Sequence, residues 1–129
     1  MANEISIPWG NDRTLSVSVV DEDGDAVSLT SAEIAFMVKN KLSDADASAL
    51  ITKKNTAAGG GDTQITITNA AGGLAEIYIV PSDFTNISLA NEESVKYYYD
   101  CKIKLSSAKQ YSSARSTFTI TGVAVKETL

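Results

Sequence analysis

Val95-Lys96-Tyr97-Tyr98-Tyr99-Asp100-Cys101-Lys102-Ile103-Lys104-Leu105 decides the fold. Its odd positions are apolar, aromatic or cysteine, and most of its even positions are charged. A side-chain period of two is that of a β-strand, with the odd set facing a core and the even set facing out. A second long strand is expected over Ser113–Val125, after a polar stretch Ser106–Gln110 with Tyr111 near the turn. Within it Phe118 and Ile120 face one way, yet Val123 and Val125 fall on odd positions, and a bulge at Gly122 would account for the change of phase.

The same alternation recurs upstream. Leu15, Val17 and Val19 alternate with serines, Ile34, Phe36 and Val38 with Ala35 and Met37, and Thr66 separates Ile65 from Ile67. These runs predict strands over Thr14–Val20, Glu33–Lys39, Thr63–Thr68 and Leu74–Val80, with shorter ones at Glu4–Ile7, Ala26–Leu29 and Leu50–Lys54. Pro8 closes the first of these, as suits an edge, because proline cannot donate to a ladder. Asp21-Glu22-Asp23-Gly24-Asp25 reads as a hairpin turn, Gly59-Gly60-Gly61 as an exposed loop, and Phe84–Ser94 as a segment with a helical turn over one end of the core. The expected core is Leu15, Val17, Val19, Ile34, Phe36, Val38, Ile65, Ile67, Ile77, Ile79, Tyr97, Tyr99, Ile103, Phe118 and Ile120.

About eight short strands with no long helix predict an all-β fold, a sandwich of two antiparallel sheets, with a small closed barrel as the alternative. At 129 residues and 43% hydrophobic, the chain reads as a single domain over 1–129. Its net charge of −5 disfavours nucleic acid and anionic lipid as partners. No stretch approaches the ~20 apolar residues of a membrane span. Met1-Ala2-Asn3-Glu4 does not read as a secretion signal. Lys96, Lys102 and Lys104 read as the solvent face of a strand.

Few residues suggest chemistry. The chain has no histidine, which excludes a Ser-His-Asp triad and leaves Cys101 without the usual base. Cys101 falls on the inward face, as a buried structural thiol would, and no disulfide is available to it. Asp21, Asp23 and Asp25 are the only candidate metal ligands, for calcium. The calcium-loop pattern fails, with Ala26 where glycine is needed and Ala32 where a bidentate glutamate is needed. The triple glycine is followed by Asp62 rather than a phosphate-binding lysine. The expectation is a non-enzymatic protein without cofactor. The aromatic residues that would anchor a partner are Trp9 and the outward-facing Tyr98; Trp9 either plugs one end of the sandwich or contacts a neighbouring subunit.

The order of these pieces resembles the immunoglobulin-like domains of tailed-bacteriophage structural proteins, above all the N-terminal domain of the phage baseplate upper protein. The resemblance runs over roughly residues 10 to 125. It lies in Leu15–Val19, the acidic turn Asp23–Val27, and most tellingly Ser28-Leu29-Thr30-Ser31-Ala32-Glu33-Ile34-Ala35-Phe36-Met37-Val38-Lys39. Ala49–Lys54, Ile65–Ala75, Val80-Pro81-Ser82-Asp83, Tyr97–Asp100 and Phe118–Thr121 follow in the same order. It implies an immunoglobulin-like antiparallel β-sandwich of about 7–9 strands. It also implies a virion protein, made in the host cytoplasm, that docks in many copies onto tail, baseplate or capsid subunits. The family domain heads a longer protein, and the role of that remainder is not carried over. Residues 1–11, with Ile5, Ile7 and Trp9, are the expected docking arm, and 123–129 a C-terminal tail. The alternative partner is a glycan, bound by Tyr98, Trp9 and Tyr111 in a host-adhesion module.

Overall fold

The computed structural model describes residues 4–41, 43–55, 65–84, 87 and 94–122, with 112–115 described by backbone alone, and among these residues the alternating runs form eight strands. They are β1 (Ile5–Pro8), β2 (Arg13–Ser18), β3 (Glu33–Lys39), β4 (Ile51–Lys54), β5 (Ile65–Asn69), β6 (Leu74–Ile79), β7 (Val95–Lys104) and β8 (Gln110–Thr121). Two 3₁₀ turns, Asp46–Ser48 and Pro81–Phe84, are the helical elements among the described residues. One sheet has the order β1-β8-β7-β3-β4 and the other β2-β6-β5. Apart from β1 beside β8 and β4 beside β3, the strand orders β2-β6-β5 and β8-β7-β3 are those of B-E-D and G-F-C in an immunoglobulin-like sandwich. The fold is all-β, as the alternation predicts.

Three expectations are corrected. First, β1 runs parallel to β8, with Ile5 beside Phe118 and Ile7 beside Ile120, so the first sheet is mixed. Second, Ala26–Leu29 is not a ladder strand. Val27 and Leu29 are buried and Ala26 and Ser28 exposed, so the period of two holds for burial. The segment, however, is crossing from one sheet to the other. It makes one bridge, Val20 to Ala26, and its amides then reach Val19 O at 3.0 Å and Ala70 O at 2.8 Å. Third, β8 ends at Thr121, and its irregularity lies at Ser113, where Cys101 pairs with Ala114 but Lys102 with Ser112. The extra residue switches the inward set from Tyr111, opposite Ile103, to Phe118, opposite Tyr97. This register shift at Ser113 is separate from the bulge expected at Gly122, which rests on residues beyond Gly122. Val123 and Val125 lie outside the described residues, as do the triple-glycine loop and most of Phe84–Ser94.

The inward residues of both sheets form one buried core, to which the five-stranded sheet gives the Phe36 ring, 5.6 Å from that of Tyr99 and 6.3 Å from that of Phe118. Thirteen of the fifteen expected core residues are buried; Leu15 and Ile67 are half-buried because they stand on β2 and β5, the two edges of the narrower sheet. The turn between β5 and β6 packs tightly onto the crossing segment. Gly73 has φ +69°, and a Cβ there would meet Val19 O at 2.6 Å and Val27 O at 2.8 Å. Only glycine fits that combination of handedness and contact.

Candidate docking surfaces

Alternation along each strand gives both sheets an outer face. On the three-stranded sheet this face carries Thr14, Ser16 and Ser18 from β2 against Tyr78, Glu76 and Leu74 from β6, with Thr66 from β5. Glu76 is the only charge among these strand residues. The outer face of the five-stranded sheet is different. Glu33, Ala35, Met37 and Lys39 of β3 stand beside Lys104, Lys102, Asp100 and Tyr98 of β7, and Ala35 and Met37 stand beside Lys54 and Thr52 of β4. Lys96 adds a further charge beside Thr119. Five lysines thus share a sheet face with two acids, in a chain with 11 basic and 16 acidic residues.

Near one end of this lysine face the small side chain of Ala35 leaves an open hollow. Its rim is Glu33, Lys54, Lys102, Lys104 and Gln110. Lys54, Lys102 and Lys104 are exposed. Lys39 instead turns toward the loop after β3, where its Nζ donates to Asp46 Oδ1 at 2.7 Å and to Asp44 O at 2.9 Å. The hydrogen bond from Lys39, and then its charge, hold the exposed Asp46 carboxyl below its usual value, with smaller pulls from Lys54 and Lys102.

Of the expected anchors, Ile7 is fully buried between the sheets and Ile5 half-buried. Ile7 therefore offers a partner no side-chain surface; what β1 exposes is its backbone edge. Trp9 is part-buried and acts as a plug. Its Nε1 donates to Ile87 O at 2.7 Å, and its ring lies 6.1 Å from that of Phe84. Arg13 ties the same corner by donating to Ser6 O at 3.2 Å. Tyr98 is exposed, on the lysine face between Lys39 and Thr117. Trp9 and Tyr111 both pack against the core, so the three aromatics do not form one platform.

Asp21, Asp23 and Asp25 do come together, each with a carboxylate oxygen within 4.8 Å of the others. Local backbone geometry accounts for this. Asp21 Oδ1 accepts from the amides of Asp23 at 2.9 Å and Asp25 at 3.0 Å, and Gly24 N donates to Asp21 O at 3.0 Å. The aspartates fold the turn themselves, the local bonding for which such residues are favoured in turns.

Sequence reading missed two ion pairs, the exposed Lys39–Asp46 and a buried one. Lys53, on the inward face of β4, pairs at 2.8 Å with Asp83 Oδ1, and the other oxygen of Asp83 accepts from Val80 N at 2.8 Å. Both side chains are largely buried. Nothing in Ile51-Thr52-Lys53-Lys54 signals this except the alternation itself, which places Lys53 inward. Compared with known proteins, the chain matches no protein-family model and no curated protein sequence.

Proposed function

We propose that this chain is a structural protein of a tailed-bacteriophage particle, one that holds onto neighbouring subunits and transforms no substrate. The observation that carries this reading is the division of its exterior into contact surfaces of different chemistry. One sheet face is nearly uncharged and rich in hydroxyls, and the other is lysine-rich. Among the described strands β1 and β4 are the edges that flank the lysine face, and their backbones offer positions for strand addition. The immunoglobulin-like strand order supports the resemblance carried by Ser28–Lys39 and its companion segments. Several acids have structural work: Asp83 holds Lys53, Asp46 holds Lys39, and Asp21 folds its own turn.

The test is the protein content of gradient-purified particles from the phage that carries the gene. The chain is expected there in many copies, and particles made without it should be incomplete or unstable. Particles that lack the chain yet assemble and infect normally would overturn the proposal. The carbohydrate-binding alternative has less support, because Tyr98 is the one exposed ring of its three candidates. Glycan-array binding that disappears with Tyr98→Ala would favour it.

A further inference from the structure

We infer that the lysine face of the five-stranded sheet docks the acidic β2–β3 loop of a second copy of this chain. The site is the hollow floored by Ala35 and rimmed by Lys54, Lys102 and Lys104. Each lysine is placed by strand register: Lys54 and Lys102 flank Ala35 on either side, and Lys104 stands beside Glu33. Lys54 is already engaged within the fold, so Lys102 and Lys104 are the residues on which the contact relies. Glu33 is the one acid on the rim among the described residues, against three lysines, in a chain of net charge −5.

The occupant follows from where the opposite charge lies. Asp21, Glu22, Asp23 and Asp25 put four carboxylates into five successive residues. The two amide bonds to Asp21 Oδ1 fix the backbone of this loop. Glu22, Asp23 and Asp25 are exposed on it, with three of the loop's carboxylates crowded within 4.8 Å. A convex acidic knob and a concave basic hollow on the same chain are self-complementary. Bringing ammonium groups against the crowded carboxylates relieves their mutual repulsion, and salt weakens the attraction over the ~10 Å screening length at 0.1 M. Two chains of like net charge otherwise repel, so this local match sets both the orientation and the salt dependence of their encounter. The docking depends on charge layout alone and would hold for a chain outside any phage particle.

Sedimentation velocity on the purified full chain, in EDTA so that no metal bridges the carboxylates, tests this directly. At low salt the wild type should associate as concentration rises toward about 1 mM, and its Kd should weaken at least about tenfold as salt rises from about 0.05 to 0.5 M. Lys102→Glu/Lys104→Glu and Asp23→Lys/Asp25→Lys should each be monomeric alone and associate when mixed. Circular dichroism melts verify that both are folded, and Lys102→Gln/Lys104→Gln replaces the first pair if it is not. A wild type that stays monomeric at low salt, a mixture that fails to associate, or association untouched by the reversals would overturn the inference. Particle composition, which tests the phage reading, is a separate measurement and can fail independently.

Discussion

Trp9 shows how much one side chain can do at the seam of two sheets. It closes the end of the core with its ring and satisfies Ile87 O with its indole N–H. Trp9→Phe keeps most of the apolar area and loses the bond, so it should cost about 1 kcal/mol in urea unfolding. Phe36→Ala removes the ring that Tyr99 and Phe118 both touch and should cost about 3–5 kcal/mol by the same measurement. Lys53 and Asp83 behave differently, because breaking a buried pair strands a charge. Asp83→Ala should destabilise by about 3–5 kcal/mol, and replacing both residues with apolar ones of similar volume should recover most of that. Asp46 carries a pH signature. Its folded pKa is lowered from 3.8, so its contribution to stability is present above 3.8 and is lost as pH falls through the lowered value. The melting-temperature advantage of wild type over Asp46→Asn should be small at neutral pH, vanish at the acid end, and shrink with salt, because the pair is exposed.

At the scale of the element, alternation made β2, β3, β5, β6 and β7 legible and placed their inward residues correctly, because one buried face leaves a period of two in the residue types. Leu29 and Phe84 escaped that reading although both are fully buried. Leu29 ends a crossing segment too short for its alternation to stand out, and Phe84 sits in a 3₁₀ turn, where burial does not follow a period of two. Asn55 was equally hidden. Just after β4 its Oδ1 accepts from Ile34 N at 2.8 Å and its Nδ2 donates to Ala32 O at 2.8 Å, so a side chain prolongs the ladder that the backbone leaves. Of the candidate sites, the acidic turn was visible as a charge run, and the β7 part of the lysine face, Lys96, Lys102 and Lys104, was visible by alternation, whereas the addition of Lys54 and Ala35 to it was not. Its members come from β3, β4 and β7, and only register assembles them. The glycines of two turns give a matched comparison. Gly24→Ala meets open space at φ +84° and should cost about 1–2 kcal/mol of backbone strain. Gly73→Ala adds a clash with two carbonyls to the same strain and should melt markedly lower, in parallel thermal scans, than Gly24→Ala.

For the whole molecule, the N-terminal segment is part of the structure as well as a candidate arm. Ile7 lies in the core and Trp9 packs against it, so deleting residues 1–11 should destabilise the domain, where an arm without structural duty could be removed freely. Thermal unfolding of that deletion, compared with removal of residues 1–4 alone, separates the two roles. The shorter deletion should keep the wild-type transition and is the cleaner probe of incorporation into particles.

β1 has a further consequence, for the order of events during synthesis. Among the described strands its one sheet neighbour is β8, the strand furthest from it in sequence. Until Phe118 to Thr121 have left the ribosome, Ile5 to Pro8 have no rail to lie along. β1 must therefore wait for β8, and any product truncated between the two leaves Ile7 without Ile120 beside it.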